Sequence, residues 1–196
     1  MGGRPRGDRL CQMWVGLAAL LMVLPLSFPT LLAVQQESSS TERLNLGFDQ
    51  SVPGDVAFIA IMFSTSGEVE IGKIITEITF PREILSFKEA RGGLPIKSID
   101  AELSAQVRND DQDTENSILE VVIVSKAGEA IPAGTLVNLI FMISPEAPTL
   151  HTIVLKNRSE AFTTGDPPER VELTTTDGEI ESLDIPALFA CFFYMH

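Results

Sequence analysis

Cysteine is almost missing from this chain: of 196 residues only Cys11 and Cys191 carry a thiol, one near each end. The long stretch between them can hold no disulfide framework and no thiolate metal cluster. Any fold there must stand on its apolar core, which roughly 140 residues can supply. Tryptophan and tyrosine are as scarce, with Trp14 and Tyr194 the single examples, again near the two ends. Flat sugar-binding platforms depend on such rings, so the central segment is poorly equipped to stack on polysaccharide. Histidine occurs only as His151 and His196. A Ser-His-Asp arrangement would have to use His151, and no nucleophile motif stands beside it. Carboxylate pairs abound, as in any acidic protein, but a small sandwich without a cleft-forming insertion gives them little scope for glycosidase chemistry. The expectation is a chain that is not an enzyme and needs no cofactor. Basic residues are also few, 14 Lys and Arg against 27 Asp and Glu. Beyond residue 33 the balance is 11 against 26. Such a body is repelled by nucleic acid and by anionic lipid, which excludes both as ordinary partners.

Charge is also absent from Leu10 to Gln36, directly after Arg4, Arg6 and Arg9. A basic start, an apolar run and a small residue at Ala33 make the pattern of a secretory signal over 1–33. Pro25 and Pro29 interrupt the run, yet its length also suits an uncleaved N-terminal membrane anchor. Both readings put the body in an extracytoplasmic place, secreted or at the cell surface, with membrane contact only through that segment. Cys11 precedes the apolar run and is not placed as a lipoprotein acceptor. Residues 34–42 read as a polar linker. Residues 185–196 (IPALFACFFYMH) form an apolar C-terminal tail too short to span a bilayer, and left exposed it would invite aggregation.

What fills 43–184 is a period of two. Leu44, Leu46 and Phe48 share one face of a first strand. Val56 to Phe63 (VAFIAIMF) is apolar on both parities, the pattern of a central strand covered on both sides. Between them Val52-Pro53-Gly54-Asp55 forms a turn, with proline fixing one φ and glycine accepting a positive one. Ile74, Thr76, Ile78 and Phe80 alternate with Lys73, Ile75, Glu77 and Thr79. Ala101, Leu103, Ala105 and Val107 alternate with Glu102, Ser104 and Gln106. Further strands are predicted over 118–124, 135–143, 150–155, 171–175 and 180–183, the last after an Asp177-Gly178 turn. The only helical signal is one turn at Pro81 to Leu85. This is an all-β antiparallel β-sandwich of about nine short strands. Phe58, Phe63, Phe80 and Phe141 are expected in its core, and Phe162, in a polar stretch, is expected as an exposed ring.

The order of these pieces resembles the cohesin family, the jelly-roll sandwiches of cellulosome scaffoldins. Leu44-Asn45-Leu46 followed by Ser51-Val52-Pro53-Gly54-Asp55 is similar to that family's opening strand and its Pro-Gly-Asp turn. Gly72 to Phe80 (GKIITEITF) resembles the strand that starts near a glycine and ends on an aromatic. Phe80 to Phe87 (FPREILSF) looks like its aromatic-Asp-Pro-x-x-Leu-x-aromatic passage, with Pro81 one place early and the Asp missing. Ile131-Pro132-Ala133-Gly134-Thr135-Leu136 leads into an apolar strand ending near Ser144, and Thr176-Asp177-Gly178-Glu179-Ile180 resembles the closing Gly-x-Ile strand. The resemblance spans Arg43 to Leu183. It implies a jelly roll and a non-catalytic protein-docking role. The implied partner is of dockerin type, a helix pair lying across one sheet face. By position that face draws on the strands at Lys73 to Thr79 and Leu119 to Ser125. The residues expected on it are Lys73, Ile75, Glu77, Thr79 and Glu120, a mixed polar and apolar set. Carbohydrate-binding modules share the topology, so polysaccharide binding stands as the alternative.

Two further motifs bear on chemistry. Asn109 to Asn116 (NDDQDTEN) offers Asp111, Asp113 and Glu115 as hard oxygen ligands at alternating positions, a weak calcium-loop candidate. It fails the EF-hand template, since Asn116 stands where glycine belongs and Val122 where glutamate belongs, and a solvated loop is the plainer reading. Asn157-Arg158-Ser159 is a glycosylation sequon, meaningful only in a host that glycosylates exported proteins.

Overall fold

A computed structural model describes residues 42–110, 113–126 and 128–184. The chain divides after Glu37 into two units, and every described residue belongs to the second. Its strands are β1 Glu42–Leu46, β2 Phe48–Ser51, β3 Val56–Ser64, β4 Ile71–Pro81, β5 Leu85–Gly92 and β6 Glu102–Asn109. After these come β7 Asn116–Val124, β8 Gly134–Ile143, β9 His151–Thr163, β10 Arg170–Val171, β11 Leu173–Thr176 and β12 Gly178–Ser182. One sheet has the order β11-β1-β3-β8-β5; the other runs β2-β12-β9-β4-β7-β6, with β10 added to β9. The fold is the expected all-β sandwich, although twelve strands replace about nine.

The core lies where the two inner faces meet. Ala57, Ile59, Ile61 and Phe63 of β3 and Val137, Leu139, Phe141 and Ile143 of β8 line one side. Ile74, Ile78 and Phe80 of β4 and Leu119, Val121 and Ile123 of β7 line the other. Phe141 meets Phe80 edge-on at 5.3 Å and Phe87 at 5.8 Å, the T-shaped contact that aromatic quadrupoles favour. The Pro53-Gly54 turn forms as predicted, with Gly54 at φ +88 and Asp55 N–H donating to Val52 O at 3.1 Å.

Four expectations are corrected. First, the opening strand does not run through Phe48. Gly47 N–H donates to Ala60 O in one sheet while its carbonyl accepts from Glu179 N–H in the other, so the chain changes sheet at that residue. Second, the sheets are mixed rather than purely antiparallel, because β1 runs parallel to β11 and β2 parallel to β12. Third, Pro81 to Leu85 holds no helix: Arg82, Glu83 and Ile84 form a turn between β4 and β5, and the one helix among the described residues is α1 Leu94–Ser98, opened by Pro95 in its first turn. Fourth, β3 is covered on one side only. Phe58 is 51% exposed and Met62 38%, so Phe58 is not a core residue and no described segment lies over that face.

Candidate docking face

Strand β4 points Lys73, Ile75, Glu77 and Thr79 away from the core. Antiparallel pairing sets Val124, Val122, Glu120 and Ile118 of β7 opposite them in that order. Beyond β7, strand β6 adds Glu102, Ser104, Gln106 and Arg108. On the other flank β9 adds Phe162, Glu160, Arg158 and Lys156. The result is a four-by-four array of side chains in register, with an apolar centre of Ile75, Val122 and Val124 among charged and polar neighbours. All five residues expected from the sequence lie within it.

Its electrostatics differ from those of the body. The array holds four acids (Glu77, Glu102, Glu120, Glu160) and four bases (Lys73, Arg108, Lys156, Arg158), so it is formally neutral. The whole chain carries −13. Glu77 and Glu120 stand directly opposite each other, which is unfavourable for like charges on paired strands. Arg108 relieves this by reaching across β7 to Glu77, Nη2 to Oε1 at 2.6 Å. Glu160 pairs outward with Arg170 at 2.9 Å, and Lys73 Nζ stands over the Phe162 ring at 5.7 Å from its centroid. Ile75, Glu77, Arg108, Glu120, Arg158 and Glu160 line a shallow depression of about 450 Å³. A depression of this kind suits side chains projecting from a partner's surface more than an enclosed small molecule.

Sequence reasoning missed the β9 quarter of the array. Strand β9 extends to Thr163, so Phe162 lies in a strand and is half-buried rather than an exposed loop ring. The available signal was the alternation of Lys156, Arg158, Glu160 and Phe162 with the small residues Asn157, Ser159 and Ala161. Polar residues at two inward positions masked it. Those positions are satisfied locally: Asn157 Nδ2 donates to Leu44 O at 3.0 Å and Thr176 O at 3.1 Å. Asn157 Oδ1 accepts from Ser159 Oγ at 2.7 Å, and that hydroxyl also lies 3.2 Å from Thr76 Oγ1. The sequon is therefore built into the fold, with both amide protons of Asn157 engaged.

Asp177, next to this corner, accepts from Lys156 Nζ at 2.8 Å and from the Asn157 N–H at 2.8 Å. Partial burial alone would raise its pKa. The two hydrogen bonds and the Lys156 charge outweigh burial and hold the carboxyl below its ordinary 3.8.

The described part of the acidic loop forms a turn. Asp111 lies outside the described residues. Asp113 Oδ1 accepts from Glu115 N–H at 3.0 Å and Oδ2 from Asn116 Nδ2 at 2.7 Å, so both of its oxygens close the loop. Glu115 contributes its carbonyl to Arg82 N–H at 3.1 Å. Among the described residues no three His, Cys, Asp or Glu gather as a metal site.

No model of a known protein family and no curated protein matches this sequence. Solved structures do match. The third cohesin of ScaC from Acetivibrio cellulolyticus, in complex with a ScaB dockerin, superposes with a TM-score of 0.61 at 14% identity, covering 74% of this chain and 100% of that one. A cohesin of OlpA from Clostridium thermocellum, in complex with a dockerin, gives 0.60 at 16% identity over 73% and 99%. A non-cellulosomal cohesin from the archaeon Archaeoglobus fulgidus gives 0.57 at 14% identity over 80% and 99%. At such identities the likeness speaks to architecture. The chain has the cohesin fold.

Proposed function

We propose that this chain is a non-catalytic, exported docking module that holds a protein partner of dockerin type on the outward face of β6, β7, β4 and β9. The observation that carries the reading is the array itself: a neutral mosaic with an apolar centre on a body of strong negative charge. Local neutrality lets a partner approach without the repulsion that the rest of the surface exerts, and balanced charges at the rim fix orientation. Solved cohesins of the same fold were captured with dockerins bound, which supports a partner of that type. Among the described residues the exposed rings Phe48 and Phe58 lie in different sheets and outside the array, so the array presents no row of exposed rings for stacking on polysaccharide. The N-terminal basic and apolar pattern supports delivery outside the cytoplasm.

The test is capture by the full chain from the host's exported and envelope proteins, with insoluble polysaccharide as a parallel matrix. The expected result is a protein with duplicated calcium-loop segments, released by a chelator and no longer retained by Ile75→Asp. Retention on polysaccharide with no protein partner would overturn the reading in favour of a carbohydrate-binding module.

A further inference from the structure

Strands β11 and β5 end one sheet, and β2 and β6 end the other. Edge strands in natural proteins are kept from pairing by shortness, bulges, proline or inward-pointing charge. Three of these four carry such a device: β2 and β11 are four residues long, and β5 is bulged between Phe87 and Glu89. Strand β6 carries none. It runs eight residues, Glu102–Asn109, in unbroken register with β7, without proline and with Leu103, Ala105 and Val107 on its inward side. Among the described residues β7 is its sole strand partner, so the backbone groups along its other edge have none. Six of its eight residues are exposed, and Val107 is 47% exposed although it points inward.

The sequence of this edge is complementary to itself. Turned antiparallel about Ala105, the strand sets Glu102 opposite Arg108 of a second copy and Ser104 opposite Gln106 on the outward side. On the inward side Leu103 meets Val107, and Ala105 meets its own copy. Opposite charges and aliphatic pairs set directly across an antiparallel ladder stabilise it, and two-fold symmetry makes each pair twice. Parallel pairing in register would instead set like charges side by side. Glu102 makes no ion pair among the described residues. Arg108 uses Nη2 on Glu77 and keeps further N–H donors for a second carboxylate.

We infer that two copies of this chain join edge to edge through β6, antiparallel about Ala105, so that their β6-ended sheets become one. The outward faces of both copies then look to the same side. The joint is made by the strand edge, so the inference stands whether or not the outward face holds a dockerin-type partner.

Sedimentation of the full chain alone over a concentration series tests it by giving the dimer dissociation constant. Glu102→Arg or Arg108→Glu alone sets like charges opposite each other twice per dimer and should raise that constant at least about tenfold. The two substitutions together exchange the charges and should return it to within about threefold of the original. Circular dichroism of each variant should match that of the unaltered chain. A chain that stays monomeric, single reversals that leave association unchanged, or a double variant as weak as the singles overturns the inference. Disulfide trapping checks the register. With Cys11→Ser and Cys191→Ser removing the native thiols, Ala105→Cys brings two thiols together where opposed Cα atoms lie about 4.5–5.5 Å apart, within disulfide reach. Ser104→Cys is the control, because each copy faces Gln106 rather than itself. Ala105→Cys should give the linked dimer at least about tenfold faster than the control. Equal rates, or a faster control, overturn the inference.

Discussion

Asn157 is the residue whose loss should be felt most for its size. Its amide joins three segments: Nδ2 donates to Leu44 O in β1 and to Thr176 O at the end of β11, while the Asn157 side chain itself projects from β9. Asn157→Ala removes both donations and the acceptor used by Ser159. A neutral hydrogen bond contributes about 1 kcal/mol net, and the partly buried Leu44 carbonyl left without this donor adds to the deficit. The expected loss is about 2–3 kcal/mol, a fall in midpoint temperature of roughly 5–12 °C for a domain of this size. Urea unfolding followed by far-ultraviolet circular dichroism measures it directly, since the sole tryptophan, Trp14, lies outside the described sandwich. The slope against urea should stay constant while the midpoint falls. Asn157→Asp sharpens the test: it sets a carboxylate against two carbonyls and beside Asp177, so near neutral pH it should be more destabilising than alanine. A loss below about 0.5 kcal/mol for Asn157→Ala, the range of ordinary surface changes, would refute the view that this side chain pins the corner.

Four other variants probe the same framework. Asp177 has a folded pKa below 3.8, so its contribution is present above the unfolded value and lost as pH falls through the folded one. In acid titrations of stability Asp177→Asn should flatten the limb below about pH 4, and an unchanged limb would count against the Lys156 pairing. A Cβ at Gly93 would overlap the Thr135 carbonyl oxygen, so Gly93→Ala should lose about 2 kcal/mol or more in urea unfolding. Phe141→Ala, which empties the centre of the aromatic cluster, should lose about 3–5 kcal/mol by the same assay. Arg108→Ala should change stability by under about 1 kcal/mol, because its pairing with Glu77 is exposed. The same variant should weaken partner capture, since it leaves Glu77 and Glu120 facing each other.

Much of this molecule could be read from its residues because β-structure writes itself as alternation. Strand β4 is the clearest case: Ile74, Thr76, Ile78 and Phe80 turn inward and Lys73, Ile75, Glu77 and Thr79 outward, as predicted. The Pro53-Gly54 turn was legible because its φ requirements are local. Strand β3 misled because alternation fails when both faces are apolar, whether the second face is buried by a sheet or awaits another cover. The second half of β9 misled for the opposite reason: its inward residues are small and polar, and their hydrogen bonds are made across long sequence separations. The parallel pairings of β1 with β11 and β2 with β12 left no local trace, since register between such distant segments depends on the whole core. For the candidate face, β4 and Glu120 were legible from periodicity and resemblance together. Arg108, Arg158, Glu160 and Phe162 joined it only when neighbouring strands were set in register.

The change of sheet at Gly47 has a mechanical consequence. It gives the first strands of the sandwich, β1 and β2, parallel partners among its last, β11 and β12. Tension applied between the two ends of such a domain pulls parallel neighbours along their length in opposite directions. The bonds of each pair are then loaded together in shear and must yield together, whereas a terminal hairpin would open one bond at a time. A module that hangs from one attachment and carries a load at another would resist rupture by this route, and single-molecule pulling from the two ends would report it as a high unfolding force.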